Sequence, residues 1–337
     1  MTNFNHQSTI INQMMGNSMK EISITDIEGV KIGHAQDLAA ATGCTVVIGE
    51  AGLTAGVDVR GGAPGTRETD LLNPVNLVEQ IHAIILAGGS AFGLDAASGV
   101  MQYLEEKKIG LDVFVTKVPI VCGAVLFDLT IGSHEVRPDK EMGYEACLNA
   151  NDMECAEGCV GAGTGATVGK ILGMERCMKS GLGTYCIQTG ELKLGAIVAV
   201  NCLGDVIDPK TGETLAGVLD ENKKRFLNSE EIMIKEFSGR KIEFSGNTTI
   251  GVIVTNAKLL KSEANKVASM AHNGYGRTMR PAHTMFDGDT IFAATTGKVV
   301  ADVSVVGLLA ARIMEQAVIR AVKKATPLCG LKCNSGL

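Results

Sequence analysis

The residue with the clearest catalytic potential is Thr248, which stands between a polar segment and the apolar run Ile250 to Val254. A threonine at the N-terminus of a chain can use its own α-amine as the general base for its hydroxyl. An internal threonine lacks that amine, so breaking the Asn247–Thr248 bond would create the nucleophile. The pKa of such an amine, about 7.7–8.0, suits proton transfer near neutral pH. An ordinary turn before a strand is the simpler interpretation, and these residues alone leave both open.

Four further side chains have the chemistry to support such a nucleophile. Asp287 and Asp289 flank one glycine, and residues i and i+2 of an extended segment point the same way, so both carboxylates can face one site. Lys170 closes a glycine-rich stretch and Asn201 ends an apolar run, and either can donate to a developing oxyanion. An Asp-Gly turn and two exposed polar residues are the alternatives at these positions.

Nucleotide-binding and metal-binding patterns are poorly matched. The segment GAGTGA at 161–166 loosely fits a dinucleotide fingerprint, but no acidic residue follows at the ribose-binding distance. Lys170 is followed by Ile171, whereas a phosphate-binding P-loop requires serine or threonine there. The ten cysteines include no C-x-x-C pair, and the six histidines are scattered. We therefore expect neither a cofactor nor a metal.

Composition excludes several other classes of function. Apolar residues form 45% of the 337-residue chain and charged residues 20%, as in globular proteins with a large core. A net charge of −6 and 4% aromatic residues argue against nucleic-acid binding. The apolar stretch 81–101 is interrupted by Gly88, Gly89, Gly93 and Asp95, which argues against a membrane span. Residues 1–20 lack the apolar core of a signal peptide, so we expect a flexible extension and a cytoplasmic protein with reduced thiols.

Apolar periodicity predicts a mixture of strands and helices, and hence an α/β or α+β fold. The polar segment Asp205 to Ser245 is expected to be a surface loop or linker that leads into the Asn247–Thr248 bond. Short apolar runs predict strands at 44–48, 82–86, 194–200, 250–254 and 290–294. Helical spacing predicts helices at 93–106, at 262–274 with Ser262 as its N-cap, and from Asp302 to Lys324.

Several sequence blocks, in one collinear order over roughly residues 21–325, resemble the DmpA-type aminopeptidases, the L-aminopeptidase/D-esterase family. This family includes β-aminopeptidases and a nylon-oligomer hydrolase. The blocks are DVRGGAPGTRETDLL from Asp58, AGGSAFGL from Ala87, VPIVCGAVLFDL from Val118, GTGATVGK from Gly163, AVNCLGDV from Ala199, NTTIGVIVTNA from Asn247 and HTMFDGDT from His283.

The resemblance implies a fold and an activity. It implies a four-layer α/β/β/α sandwich, similar to ornithine acetyltransferase, formed by one domain spanning 21–337. Self-cleavage would give an α chain of 1–247 and a β chain of 248–337, and protomers would form homo-oligomers that hydrolyse small peptides or amides.

The resemblance also implies roles for individual residues. Thr248 matches the nucleophile, and Asp287 and Asp289 match the polar pair that supports it. Asn201 matches an oxyanion-side asparagine, and Lys170 matches a lysine near the nucleophile in the nylon-hydrolase branch.

One position departs from the family pattern. Phe127 stands where the family commonly has tyrosine, and phenylalanine cannot donate a hydrogen bond. Loss of one oxyanion donor lowers rates by about 10²–10³. Two alternatives to a hydrolase stay open: an acyltransferase that passes the acyl group to an amine, as the similarity to the ornithine acetyltransferase fold implies, and a binding or scaffold homologue whose catalysis is weakened by Phe127.

Overall fold

The structure is a computed structural model that describes residues 19–236 and 246–336. Nearly all of the expected extension 1–20, and residues 237–245 of the expected linker, lie outside the described residues. The strands are β1 Lys20–Ile22, β2 Lys31–Asp37, β3 Thr42–Val59, β4 Thr66–Arg67, β5 Ile81–Ala87, β6 Leu111–Asp112, β7 Lys117–Val118, β8 Val121–Val125, β9 Thr167–Val168, β10 Met178–Lys179, β11 Leu182–Thr189, β12 Leu192–Ala199, β13 Asp205–Ile207, β14 Thr214–Ala216, β15 Ile250–Ala257, β16 Met279–Arg280 and β17 Thr290–Val299. The α-helices are α1 Ala96–Glu106, α2 Lys140–Leu148, α3 Ser229–Lys235, α4 Lys261–Thr278 and α5 Val303–Lys323.

The long strand β3 connects two packed sheets. Its second half pairs with β17 and completes the order β1-β11-β12-β15-β17-β3. Its first half pairs with β2 on one side and β5 on the other, and β8 and β4 follow β5. The pairing with β5 shifts register between Ile48 and Leu53, where the strand passes from one sheet to the other.

Three separate apolar cores define four layers. The central core lies between the two sheets and includes Val47, Leu86, Val252 and Phe292. One outer core packs α4 and α5 on the sheet that contains β15, and the other packs α1 and α2 on the sheet that contains β5. This α/β/β/α arrangement confirms the predicted fold class.

Burial on both faces explains the unbroken apolar run that predicted β15. Val252 and Val254 point into the central core, whereas Ile253, between them, points into the outer core beneath α4 and α5. A strand covered on both sides needs apolar residues at every position rather than at alternate positions. All eight residues of β15 are buried.

The last long helix matches its prediction. The Asp302 carboxylate caps α5 by accepting the backbone N–H groups of Ser304 and Val305 at 2.8 and 3.1 Å. The predicted inward residues Val306, Leu309, Ile313 and Ala317 are buried. Within the described ranges, no helix is both long and apolar enough to cross a membrane.

The predicted bounds of α4 are wrong at both ends. The helix begins at Lys261, and the Glu263 carboxylate accepts the Leu260 N–H at 2.8 Å, so Ser262 is not the N-cap. The helix continues past Gly274 to Thr278. Gly274 permits close approach to α5 instead of ending the helix, since a Cβ there would lie 2.7 Å from the Ala311 carbonyl oxygen.

The segment 205–236 is ordered structure, which corrects the prediction of a loop or linker. It contains β13, β14 and α3. The buried Asp205 carboxylate accepts the Val218 N–H at 2.8 Å, the Ser229 N–H at 2.7 Å and the Ser229 hydroxyl at 2.8 Å. These contacts join residues distant in sequence, so the buried Asp205 carboxylate ties together a segment whose polar composition predicts a loop.

A pair of helical glycines tests the packing of the outer layer. An added Cβ at Gly143 in α2 would lie 1.9 Å from the Ala96 carbonyl oxygen of α1, whereas at exposed Gly276 in α4 it would meet nothing within 4 Å. We expect Gly143→Ala to destabilise the protein by about 1–3 kcal/mol through overpacking. Gly276→Ala should stabilise it by about 0.5–1 kcal/mol through helix propensity. Thermal unfolding of both variants measures the difference, and a Gly143→Ala variant as stable as the parent would contradict the close contact.

Candidate active site

The site lies where the parallel strands β15 and β17 begin. The two strands pair with Ile250 beside Thr290. Two residues before each of these positions, Thr248 lies alongside Gly288. An isolated parallel bridge between Asn247 and Asp287 continues the pairing. The strand register therefore places the predicted nucleophile between the two predicted aspartates.

Strand β12 approaches the same point from the other side. It is antiparallel to β15, with Ala199 beside Ile250, so Asn201 lies next to Thr248. The Asn201 carbonyl accepts the Thr248 N–H at 2.9 Å. Its side-chain amide donates to the Phe127 carbonyl at 2.9 Å. In this uncut chain, the predicted oxyanion donor is thus bonded to backbone and not to the carbonyl that precedes Thr248.

The carbonyl oxygen of Asn247 has two donors. The Gly288 backbone N–H donates to it at 3.1 Å, and the Thr248 hydroxyl also donates to it. A side chain on Gly288 would place its Cβ 2.6 Å from Thr248 Oγ, so glycine is required there. The sequence does not predict this role of Gly288. The position of the glycine between two aspartates is the only feature of the sequence that points to it.

Lys170 is enclosed behind the nucleophile. Its ammonium donates to the Asn201 carbonyl at 3.1 Å, to Asn201 Oδ1 at 2.8 Å and to the Gly246 carbonyl at 3.3 Å. Three acceptors match the three donors of a charged lysine. Burial lowers the pKa of Lys170 to about 8, which leaves the ammonium form populated at neutral pH.

Asp287 is buried and only half satisfied. Its Oδ2 accepts the Thr284 N–H at 2.8 Å and the Thr284 hydroxyl at 2.5 Å. Its Oδ1 is buried and has no hydrogen-bond partner in the described part of the chain. Burial, with the Asp289 charge acting in the same direction, raises the pKa of Asp287 to about 6. The site thus holds one carboxylate oxygen that can still accept a hydrogen bond.

Asp289 hydrogen-bonds to Thr249, the residue after the predicted nucleophile. Its Oδ1 accepts the Thr249 N–H at 2.8 Å, and its Oδ2 contacts the backbone N–H and Nδ1 of His283 at 3.0 and 2.9 Å. Within the described ranges, neither Asp287 nor Asp289 hydrogen-bonds directly to Thr248. The aspartate after Gly288 therefore fixes the start of β15, while His283, which sequence reasoning did not identify, fixes that aspartate.

Phe127 is held in place by its neighbour Asp128. The buried Asp128 carboxylate accepts the Gly89 N–H and the Thr42 hydroxyl, both at 2.7 Å. Burial raises the pKa of Asp128 to about 6. The Phe127 carbonyl accepts the Asn201 amide. This phenylalanine thus contributes its backbone and its ring at the position where the resemblance expects a tyrosine hydroxyl.

A cavity of about 90 Å³ borders Thr248. Among the described residues, none of the side chains that line it is charged. Two larger hollows, of about 460 and 500 Å³, lie beside α5 and contain none of the predicted site residues. The apolar lining of the cavity beside Thr248 comes from Ala63, Pro64, Ala91, Val125, Leu126, Phe127 and Phe286.

The described ranges contain no group of three or more histidine, cysteine, aspartate or glutamate side chains placed to bind a metal. The glycine-rich stretch that loosely fitted a dinucleotide motif forms a buried short turn at Gly161–Gly163. Lys170 ends that stretch in the sequence, and in the structure its ammonium donates to the same Asn201 carbonyl that accepts the Thr248 N–H.

The chain is similar to known proteins over almost its full length. The model of peptidase family S58 matches residues 23–335. An uncharacterized aminopeptidase of Mycobacterium leprae is 42% identical, with 94% of each chain covered. A 6-aminohexanoate-oligomer endohydrolase of Paenarthrobacter ureafaciens is 32% identical, over 90% of this chain and 87% of its own.

The same architecture occurs in a solved structure. The L-aminopeptidase D-Ala-esterase/amidase of Ochrobactrum anthropi, described as a variant of the Ntn hydrolase fold, superposes with a TM-score of 0.68. The alignment covers 95% of this chain and 93% of that one at 18% identity, so it bears on the fold alone. The extent of the family match and the similarity of the relatives show that this chain belongs to peptidase family S58, as a hydrolase of peptide or amide bonds.

Proposed function

We propose that this chain cuts itself between Asn247 and Thr248 and then hydrolyses small peptides or amides with Thr248 as an N-terminal nucleophile. One observation carries the proposal. The Thr248 hydroxyl donates a hydrogen bond to the oxygen of the Asn247 carbonyl, the group that it would attack. The Gly288 N–H donates to the same oxygen at 3.1 Å. A backbone donor on that oxygen can stabilise the negative charge that develops during attack.

The first stage is an N→O acyl shift. Thr248 Oγ attacks the Asn247 carbonyl carbon, the C–N bond breaks as the ester C–O bond forms, and the hydroxyl proton passes to the leaving nitrogen. Water then hydrolyses the ester, which leaves Asn247 as a carboxylate and restores the Thr248 hydroxyl beside a free amine.

The second stage uses that amine as the base. Asp287 Oδ1, buried and without a partner in the described part of the chain, supplies an acceptor that can orient the new amino group. Thr248 Oγ attacks the substrate amide, the amine transfers the hydroxyl proton to the leaving group, and water resolves the acyl-enzyme. Lys170, charged and hydrogen-bonded to the carbonyls around the nucleophile, provides a fixed positive charge.

Small amides are the substrates best supported by the cavity. Its volume of about 90 Å³ and its uncharged lining among the described residues favour a short acyl group. Relatives named as an aminopeptidase and as a 6-aminohexanoate-oligomer endohydrolase are consistent with peptide and amide substrates. Assays of amino-acyl amides with and without an added amine acceptor separate hydrolysis from acyl transfer, and a cut chain without turnover would favour a binding role.

Two further expectations concern the assembled protein. We propose homo-oligomers of cut αβ protomers and a cytoplasmic location with reduced cysteines. All ten cysteines lie in the described ranges and carry free thiols. Light scattering and cell fractionation test the two expectations, and a monomeric or exported protein would contradict them.

Removing the Thr248 hydroxyl should abolish self-cleavage. We expect intact-mass analysis of the parent to show two chains, one beginning Thr-Thr-Ile-Gly. Thr248→Val keeps the shape of the side chain without the oxygen and should remain one chain, while Thr248→Ser keeps the oxygen and should still be cut. A parent that stays whole during long incubation, or a Thr248→Val variant cut at this bond, would contradict the proposal.

The charge on Lys170 should appear in the pH dependence of stability. Its pKa falls from 10.5 in the unfolded chain to about 8 in the fold, so the unfolded state binds more protons between those values. The free energy of unfolding should then rise between pH 8 and 10.5, by up to about 1.4 kcal/mol per pH unit from this group. We expect the free energy of unfolding of the uncut Thr248→Ala variant to show this rise. The rise should disappear when Lys170→Met is added to that variant. Equal slopes in both proteins would rule out a lysine that titrates in this range.

A further inference from the structure

Gly246, two residues before Thr248, occupies a position that excludes any side chain. Its φ is +54°, in the left-handed region that glycine adopts without strain. An added Cβ would lie 2.1 Å from Cγ of the Phe127 ring and 2.2 Å from a second ring carbon. Real Cβ atoms do not approach other carbons so closely, so the ring and a side chain at 246 cannot share this space.

The backbone that carries the Phe127 ring is held by hydrogen bonds. The buried Asp128 carboxylate holds the Gly89 N–H and the Thr42 hydroxyl, and the Phe127 carbonyl accepts the Asn201 amide. These hydrogen bonds fix the backbone on the C-terminal side of the Phe127 Cα, so the residue cannot shift away from Gly246 without breaking them.

Gly246 is also held through its backbone. Its carbonyl accepts the Lys170 ammonium at 3.3 Å. The next residue, Asn247, forms a parallel bridge with Asp287, which precedes β17, and its carbonyl accepts the Gly288 N–H. The chain before the bond to be cut is therefore fixed by a ring at the Cα of Gly246 and by an ammonium at its carbonyl.

We propose that Phe127 and Gly246 are positioning residues for self-cleavage. The Phe127 ring forms a seat that accepts only a residue without a side chain, and this seat keeps the Asn247 carbonyl within reach of Thr248 Oγ and the Gly288 N–H. The inference rests on the proposed self-cleavage and adds a steric requirement two residues before the cut. Displacement by 1 Å from a reactive geometry can cost about 10²-fold in rate.

The test is the rate of self-cleavage, followed by intact mass after synthesis of the full chain. Gly246→Ala should slow the cut by at least about tenfold, because the new methyl group displaces the chain from the seat. Gly212→Ala is the matched control: Gly212 also has a positive φ, of +78°, but an added Cβ there meets nothing within 4 Å. It should add the backbone strain alone and be cut at the parent rate.

A second variant separates positioning from a general folding defect. Phe127→Ala should slow the cut in the parent by removing the seat, yet the double variant Phe127→Ala/Gly246→Ala should be cut faster than Gly246→Ala, because the clash is gone. Melting temperatures of the same variants in the uncut Thr248→Ala background show whether each one folds.

Two results would overturn the inference while leaving self-cleavage intact: a folded Gly246→Ala variant cut at the parent rate, or a double variant cut no faster than the single one. A parent that never cuts would remove the proposed function and this inference together. The three outcomes are distinguishable because the parent, the single variant and the double variant are measured in one series.

Discussion

The parallel pairing of β15 with β17 is the constraint on which the site depends. Because Ile250 lies beside Thr290, the residues before both strands meet at one sheet edge, with Thr248 opposite Gly288. A slip of one residue would exchange the core faces of β15 and move the nucleophile away from the glycine N–H at the same time. Packing on both faces of β15 therefore fixes the geometry of the chemistry as well as the fold.

Two buried ionisable side chains at this sheet edge lower the stability of the folded protein. Lys170 and Asp287 are both buried, and burying an ion costs several kcal/mol unless hydrogen bonds and opposite charges compensate. Lys170 is compensated by three oxygens, whereas one oxygen of Asp287 lacks a partner in the described part of the chain. A carboxylate left partly unsatisfied in the uncut chain is understandable if its partner is a group released later. Catalytic sites commonly retain such locally unfavourable arrangements.

The spacing of apolar residues predicts those strands and helices in which burial repeats regularly along the sequence. The apolar runs at β5, β12, β15 and β17 and the inward stripe of α5 were predicted, because periodicity reports directly on burial. The pattern failed where distant residues satisfy polar groups. Turn dipeptides and the charged run at 220–225 predict a loop at 205–236, whereas the buried Asp205 carboxylate ties this segment together. Gly288, in an Asp-Gly pair, is typical of a turn, whereas its N–H lies on the Asn247 carbonyl. Sequence spacing cannot reveal a backbone donor, since every residue except proline carries one.

Most contacts that hold Thr248 come from residues that remain after the proposed cut. The Asn201 carbonyl accepts the Thr248 N–H, and Asp289 holds the next residue, Thr249; both lie at sheet ends rather than in the segment directly before the bond. The proposed cut would therefore leave the strands that position the threonine intact. If Gly246 and Asn247 then moved away from Phe127 and Lys170, the space beside the uncharged cavity would become accessible to an acyl group. On this proposal one site acts first on its own chain and then on other amides, because the cut would remove the first substrate and keep the catalytic framework in place.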